Sequence, residues 1–188
     1  MATVAELVQD VADALKEPRE TVNAYARALI DSGDLPKSRG RAIAQVGIPD
    51  IVKLMMAVAM QPKIKDTSET VNAYFNMMKP GVMHDFPASL TKQTAGAEIC
   101  DLVEIIYSKG ETDTEKAFRK NCFDATITIT LNWPEIELRL SGGGLIRFKT
   151  GGMPSHWDGH HKRAVIISGR AFLLLGFGKG RDYALLSD

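Results

Sequence analysis

Long apolar runs are missing from this chain. The longest, Leu54–Met60 and Ala171–Phe177, reach only seven residues, against the roughly 20 that a membrane-spanning helix requires, so a bilayer-crossing helix is excluded. Cysteine is scarce: Cys100 and Cys122 are the only two in 188 residues. That is too few for a disulfide scaffold, and both are expected to be reduced thiols in a cytoplasmic protein. No basic stretch followed by an apolar one opens the sequence, so no signal peptide is expected. An excess of charge of one sign is also absent, since 23 Lys+Arg stand against 23 Asp+Glu, which excludes a polybasic, sequence-indifferent nucleic-acid binder. With 45% hydrophobic and 24% charged residues, the composition is ordinary, and a long disordered chain is excluded. The length suits one domain or two small ones sharing a core.

Signatures of catalysis are missing too. There is no Gly-x-Ser-x-Gly elbow, no paired-carboxylate site and no His-Glu-x-x-His. Gly142–Gly144 and Gly151-Gly152 are followed by neither a Gly-Lys-Ser/Thr sequence nor a helix start, so they read as hairpin turns. Gly176-Phe-Gly178-Lys-Gly180 likewise has no helix after it. The expectation is a protein that is not an enzyme, with no catalytic residue, cofactor or metal ligand assigned.

What is present begins with helical periodicity. Val4, Leu7, Val8, Val11 and Leu15 form one apolar stripe, and Thr3 with Glu6 makes a capping box, predicting a helix over 3–15. Pro18 breaks it and starts a second helix over 19–31, with Val22, Tyr25, Ala26, Leu29 and Ile30 on its apolar face and Ser32-Gly33 as its stop. Further helices are predicted over 49–60, apolar on most sides and so central to a core, over 67–78, and over 93–108, with residues 82–93 irregular. Glu20-Thr-Val-Asn-Ala-Tyr25 recurs as Glu69-Thr-Val-Asn-Ala-Tyr74. The flanks align only with a gap, so a duplication and a shared helix-start chemistry both remain open.

The period then falls to 2. Ala125–Leu131 alternates Thr with Ile, and Glu135–Leu140 alternates Ile/Leu with charge, joined by a turn at Asn132–Pro134. Leu145–Lys149, Arg163–Ser168 and Ala171–Phe177 complete five strands, the last two joined by a hairpin at Ser168–Arg170. Helices followed by an antiparallel meander imply the α+β class, with a helical unit over 1–80 and a helix-plus-sheet unit over 81–188.

Residues 8–27 have helix-turn-helix spacing. Ala12 is the small residue that lets a second helix cross closely, Val22 packs against it ten residues on, and Val11, Leu15 and Tyr25 fall at the other core positions. The outward residues of the second helix, Arg19, Glu20, Asn23, Ala24 and Arg27, are then the ones to contact bases, with Arg suited to guanine and Asn to adenine. Lys37, Ser38, Arg39 and Arg41, in a stretch with no acid between Asp34 and Asp50, are the candidate phosphate contacts. The pattern Val4-Ala-Glu-Leu … Thr21-Val … Leu29-Ile-Asp-Ser-Gly-Asp-Leu35 resembles the helix-turn-helix and winged-helix regulators. In that family a wing follows, with Ser38–Arg41 as its basic tip. Lys16 and Glu17 stand where the family has glycine and an apolar residue, and 42–48 shows no strand pattern. Residues 1–80 also look like the N-terminal part of proteins carried by bacterial prophages. The competing reading is a plain helical hairpin with solvated charges.

Three of the four histidines lie in His156–His161, read as a polar loop rather than a metal site because no fourth ligand has a defined spacing. Cys100 sits beside Ile99 on an apolar helix and is expected buried, not nucleophilic. The zero net charge divides into +1 over residues 1–65, −5 over 66–141 and +4 over 142–188. Basic residues thus concentrate at 37–41 and in the terminal sheet. The resulting expectation is a cytoplasmic, sequence-specific transcriptional regulator of a phage or mobile element. Its expected partners are double-stranded DNA, a second copy of the chain in a homodimer and a protein held at the C-terminal sheet, with no membrane contact. The alternatives are a phage DNA-packaging protein of small-terminase type or a replication DNA-binding protein, a protein-interaction module without DNA contact, and a metal-dependent enzyme using the 156–161 loop.

Overall fold

Apolar periodicity and capping decide the helical half. In a computed structural model, residues 2–38, 43–79, 94–149, 162–173 and 175 are described. A two-residue strand β1 (Ala2–Thr3) leads into α1 (Val4–Leu15) through the expected capping box: the Thr3 amide donates to the Glu6 carboxylate at 2.8 Å and the Glu6 amide to Thr3 Oγ1 at 3.3 Å. Helix α2 (Arg19–Asp31) follows Pro18. Strand β2 (Gln45–Val46) pairs antiparallel with β1 and leads into α3 (Ile48–Met60), whose first turn is closed by the Gly47 amide donating to Asp50. A 3₁₀ turn (Ile64–Asp66) precedes α4 (Thr67–Phe75). Helix α5 (Ala95–Tyr107), capped by Thr94, contacts α3 and α4.

The first four helices form two units built to one plan: short strand, helix, left-handed stop, proline, helix. Lys16 ends α1 at φ 57°, and Gln61 ends α3 at φ 49°. Pro18 and Pro62 follow. The Glu-Thr-Val-Asn-Ala-Tyr echo lies at the start of the second helix of each unit, with Val22 and Val71 fully buried and Tyr25 and Tyr74 nearly so. The 3₁₀ turn is the insertion that puts the flanks out of step. The two stops are joined: Gln61 Nε2 donates to Glu17 at 3.2 Å, and the Tyr25 hydroxyl to the Pro62 carbonyl at 3.1 Å.

Helix α6 (Asp113–Phe123) was not expected from apolar periodicity, because most of it is exposed. Its signal is a capping box, Thr112 with Glu115, both of whose hydrogen bonds form.

Four strands follow: β3 (Thr126–Thr130), β4 (Glu135–Arg139), β5 (Leu145–Lys149) and β6 (Ala164–Ser168). The class is α+β as expected, but the sheet is not a simple meander. Its order is β5-β4-β3-β6, all antiparallel, so β6 adds to the far side of β3. The expected hairpin at Ser168–Arg170 and the start of the fifth strand are replaced by α7 (Gly169–Leu173). Gly169 lies against the Cys122 and Phe123 carbonyls, 2.4 and 2.8 Å from where a Cβ would stand, and its amide donates to Ala125. That close approach turns the chain off the sheet. The period of 2 otherwise holds. Ile127, Ile129, Ile136, Leu138, Phe148 and Ile167 are buried on the inner face, while Glu137, Arg139 and Arg147 line the outer one.

One continuous core links helices and sheet, from Leu7 through Met55, Ile99 and Ile127 to Phe172. Tyr74 donates to the Thr130 carbonyl at 2.7 Å and Tyr107 to the Phe172 carbonyl at 2.8 Å. Cys100 and Cys122 are buried and unbridged, and burial pushes the Cys100 thiol up to about 12. The segment holding the 80/81 unit boundary, the irregular stretch 82–93 and the His156–His161 loop all lie outside the described residues. No described helix is long and apolar enough to cross a membrane.

Candidate nucleic-acid interface

The α1–α2 hairpin is held by residues that helix-turn-helix spacing singles out. Val11 and Val22 are fully buried and Ala12 and Tyr25 nearly so, and the two helices contact each other. Lys16 holds the left-handed conformation that a glycine gives at such a turn. Its amide donates to the Ala12 carbonyl, as does that of Glu17 at 3.1 Å. The chain therefore makes the turn with a lysine at a conformational cost of about 1 kcal/mol.

This packing leaves one face of α2 outward. Arg19, Glu20 and Arg27 are exposed, and Asn23 and Ala24 are half-buried. None of the Arg19, Glu20, Asn23 and Arg27 side chains hydrogen-bonds or ion-pairs with another described residue. Arg19, Glu20 and Asn23 border an open depression of about 310 Å³ floored by Ala5 and Val8 of α1. Pro18 supplies no side-chain cap, so the first amides of α2 face outward beside Arg19. A helix start of that kind attracts anions through its unpaired N–H groups and its dipole.

The candidate phosphate residues lie at the other end of the helix, about 18 Å along the axis from Arg19 at 1.5 Å per residue. Lys37 and Ser38 are exposed beyond Leu35, which is anchored in the core. Ser38 Oγ accepts from the Ala44 amide at 3.1 Å, which holds these two residues together. The chain then enters β2, a strand that the sequence pattern did not reveal. Arg39 and Arg41 lie outside the described residues.

Behind this face is a polar cluster that spacing alone did not single out. Asp34, just past α2, accepts from Lys53 Nζ at 2.8 Å, from Asn72 at 2.9 and 3.1 Å, from Ser32 at 2.9 Å and from Ser68. Burial alone would raise its carboxyl, but the hydrogen bonds from Lys53, Ser68, Asn72 and Ser32 together outweigh it and hold the group down at about 2. The cluster fixes the end of α2 to α3 and α4. Its donors are spent inside the protein, which makes it a brace for the outward face.

Among the described residues, no group of His, Cys, Asp and Glu side chains could hold a metal ion. No family model, curated protein or solved structure matches the chain.

Proposed function

We propose that this chain is a sequence-specific DNA-binding protein, a transcriptional regulator of phage or mobile-element type acting in the cytoplasm, with α2 as its recognition helix. The observation that carries this reading is the outward face of α2. The Arg19, Glu20, Asn23 and Arg27 side chains hydrogen-bond or ion-pair with no other described residue, on a helix whose opposite face is fixed in the core. Side chains that can donate to guanine and adenine edges are thus presented unspent on a rigid element. Lys37, Ser38, Arg39 and Arg41 are assigned to phosphates, in the basic stretch that follows α2. A single helix of this size gives modest affinity, so the reading includes a dimer.

Selection of bound fragments from random duplex DNA, followed by gel shifts at about 50 mM salt, tests the reading. An enriched sequence is expected, and Arg19→Ala/Asn23→Ala should lose at least about tenfold in affinity for it while Lys37→Ala weakens all sequences alike. Absence of binding, or binding unchanged in the double variant, overturns it. Light scattering that shows eight or more copies instead of two would move the assignment to a packaging protein.

A further inference from the structure

We propose that the outer edge of β6 is a docking strand for an extended segment of another protein, one that is apolar at alternate positions and acidic where it passes Lys162 and Arg163. The inference is independent of the DNA-binding reading and rests on a different part of the molecule.

The backbone comes first. The Leu131 amide donates to the Arg163 carbonyl, and the Gly169 amide to the Ala125 carbonyl, each at 2.8 Å. With the register Thr128↔Ile166, the amides and carbonyls of Arg163, Val165, Ile167 and Gly169 therefore face β3. Those of Ala164 and Ile166 face away, as alternation in an antiparallel ladder requires. Among the described residues, none bonds to them. Natural sheets cover or charge such an edge, or use it to bind a strand.

The surroundings fit a strand. The edge opens onto a groove of about 360 Å³, walled by Leu15 at the end of α1 and by Val58, Ala59 and Met60 at the end of α3. Ile166 is 68% exposed, the highest value among the large apolar residues of the described chain. A peptide paired with β6 would satisfy the outward backbone groups, cover Ile166 with one face and fill the apolar groove with the other.

Charge decides the occupant. Lys162 and Arg163 are exposed beside the groove and ion-pair with no described residue. Glu17, the acid on its wall, already accepts from Gln61. The unbalanced charge is positive and selects an acidic segment. A second copy of this chain does not supply that acid. Antiparallel self-pairing about Ile166 carries Lys162 of each copy only as far as the start of the other's α7, where Asp124 is already ion-paired with Arg170.

Two measurements on the full chain test the proposal. In hydrogen exchange on the free protein, the Ala164 and Ile166 amides should exchange fast while those of Val165 and Ile167 are protected. Protection of all four would mean that the edge is already covered, by this chain or by a second copy, and would overturn the proposal. Selection from a displayed library of random peptides should then enrich sequences with alternate apolar residues, an acidic end and no inner proline. The selected peptide should slow exchange at Ala164 and Ile166, and Lys162→Glu/Arg163→Glu should weaken its binding at least about tenfold. Failure to enrich any sequence, or enrichment indifferent to the charge reversal, refutes the acidic docking strand.

Discussion

The two strand–helix–turn–helix units share a plan and one six-residue sequence, yet spend the same side chains differently. In the second unit Asn72 donates twice to Asp34, and the first turn of α4 is absorbed into a polar brace. In the first unit Asn23 stands at the same place in the repeated sequence and bonds to no other described residue, beside an open depression. Their valines and tyrosines behave alike, buried in both copies. The difference teaches that a helical hairpin's inner face is fixed by packing, whereas its outer face is free to be structural or functional according to what tertiary neighbour it meets. Here the neighbour is Asp34, which the first unit supplies to the second.

The comparison can be broken most severely at Asp34. Asp34→Ala strands Lys53, Asn72 and Ser68 without their common acceptor and should destabilise the chain by about 2–3 kcal/mol in urea unfolding. A loss below about 0.5 kcal/mol, the range of ordinary surface changes, would mean that the cluster braces nothing. The same group predicts an acid limb. Its folded carboxyl titrates at about 2, below the ordinary 3.8, so its contribution is present above about pH 4 and is lost as pH falls toward 2. In Asp34→Asn that part of the pH dependence should vanish from the unfolding profile.

The repeated asparagines sharpen the contrast directly. Asn72→Ala removes a donor to a charged acceptor and should cost about 1–2 kcal/mol. Asn23→Ala should change stability by less than about 0.5 kcal/mol while impairing DNA binding. Equal stability losses would erase the distinction between brace and reading face. The smallest expected effect tests what the units share. Lys16→Gly relieves a left-handed residue and should raise stability by about 0.5–1 kcal/mol in thermal unfolding. Gln61→Gly relieves the same conformation but gives up the bond to Glu17 and should gain less; an equal gain would show that this bond contributes nothing.

Much of the fold was legible where a local rule is strong. The Thr3–Glu6 box, the proline breaks and the Ile/Thr alternation of β3 mark their elements, because capping and side-chain periodicity act within a few residues. Helix α6 was missed because, with most of its residues exposed, it offers little apolar periodicity, although Thr112 and Glu115 mark its start. Ala171–Phe177 reads as a strand because a short apolar run suits either state, whereas its described start, Ala171–Leu173, is helical. The contact of Gly169 with the Cys122 and Phe123 carbonyls decides for the helix. Of the site, the exposure of Arg19, Glu20 and Arg27 follows from the helical repeat. The Asp34 cluster joins residues up to 38 positions apart, and no short-range pattern announces it.

By itself, the sequence determined the start of α1 and the break between α1 and α2, the burial of the apolar stripes and the two faces of β3 and β4, since these depend on neighbours along the chain. Only the tertiary structure decided that β6 pairs with β3, with no described residue on its other edge, and that one copy of a repeated asparagine is consumed while the other bonds to no described residue. Both outcomes depend on which distant groups come within hydrogen-bonding reach, and the closing of the core settles that.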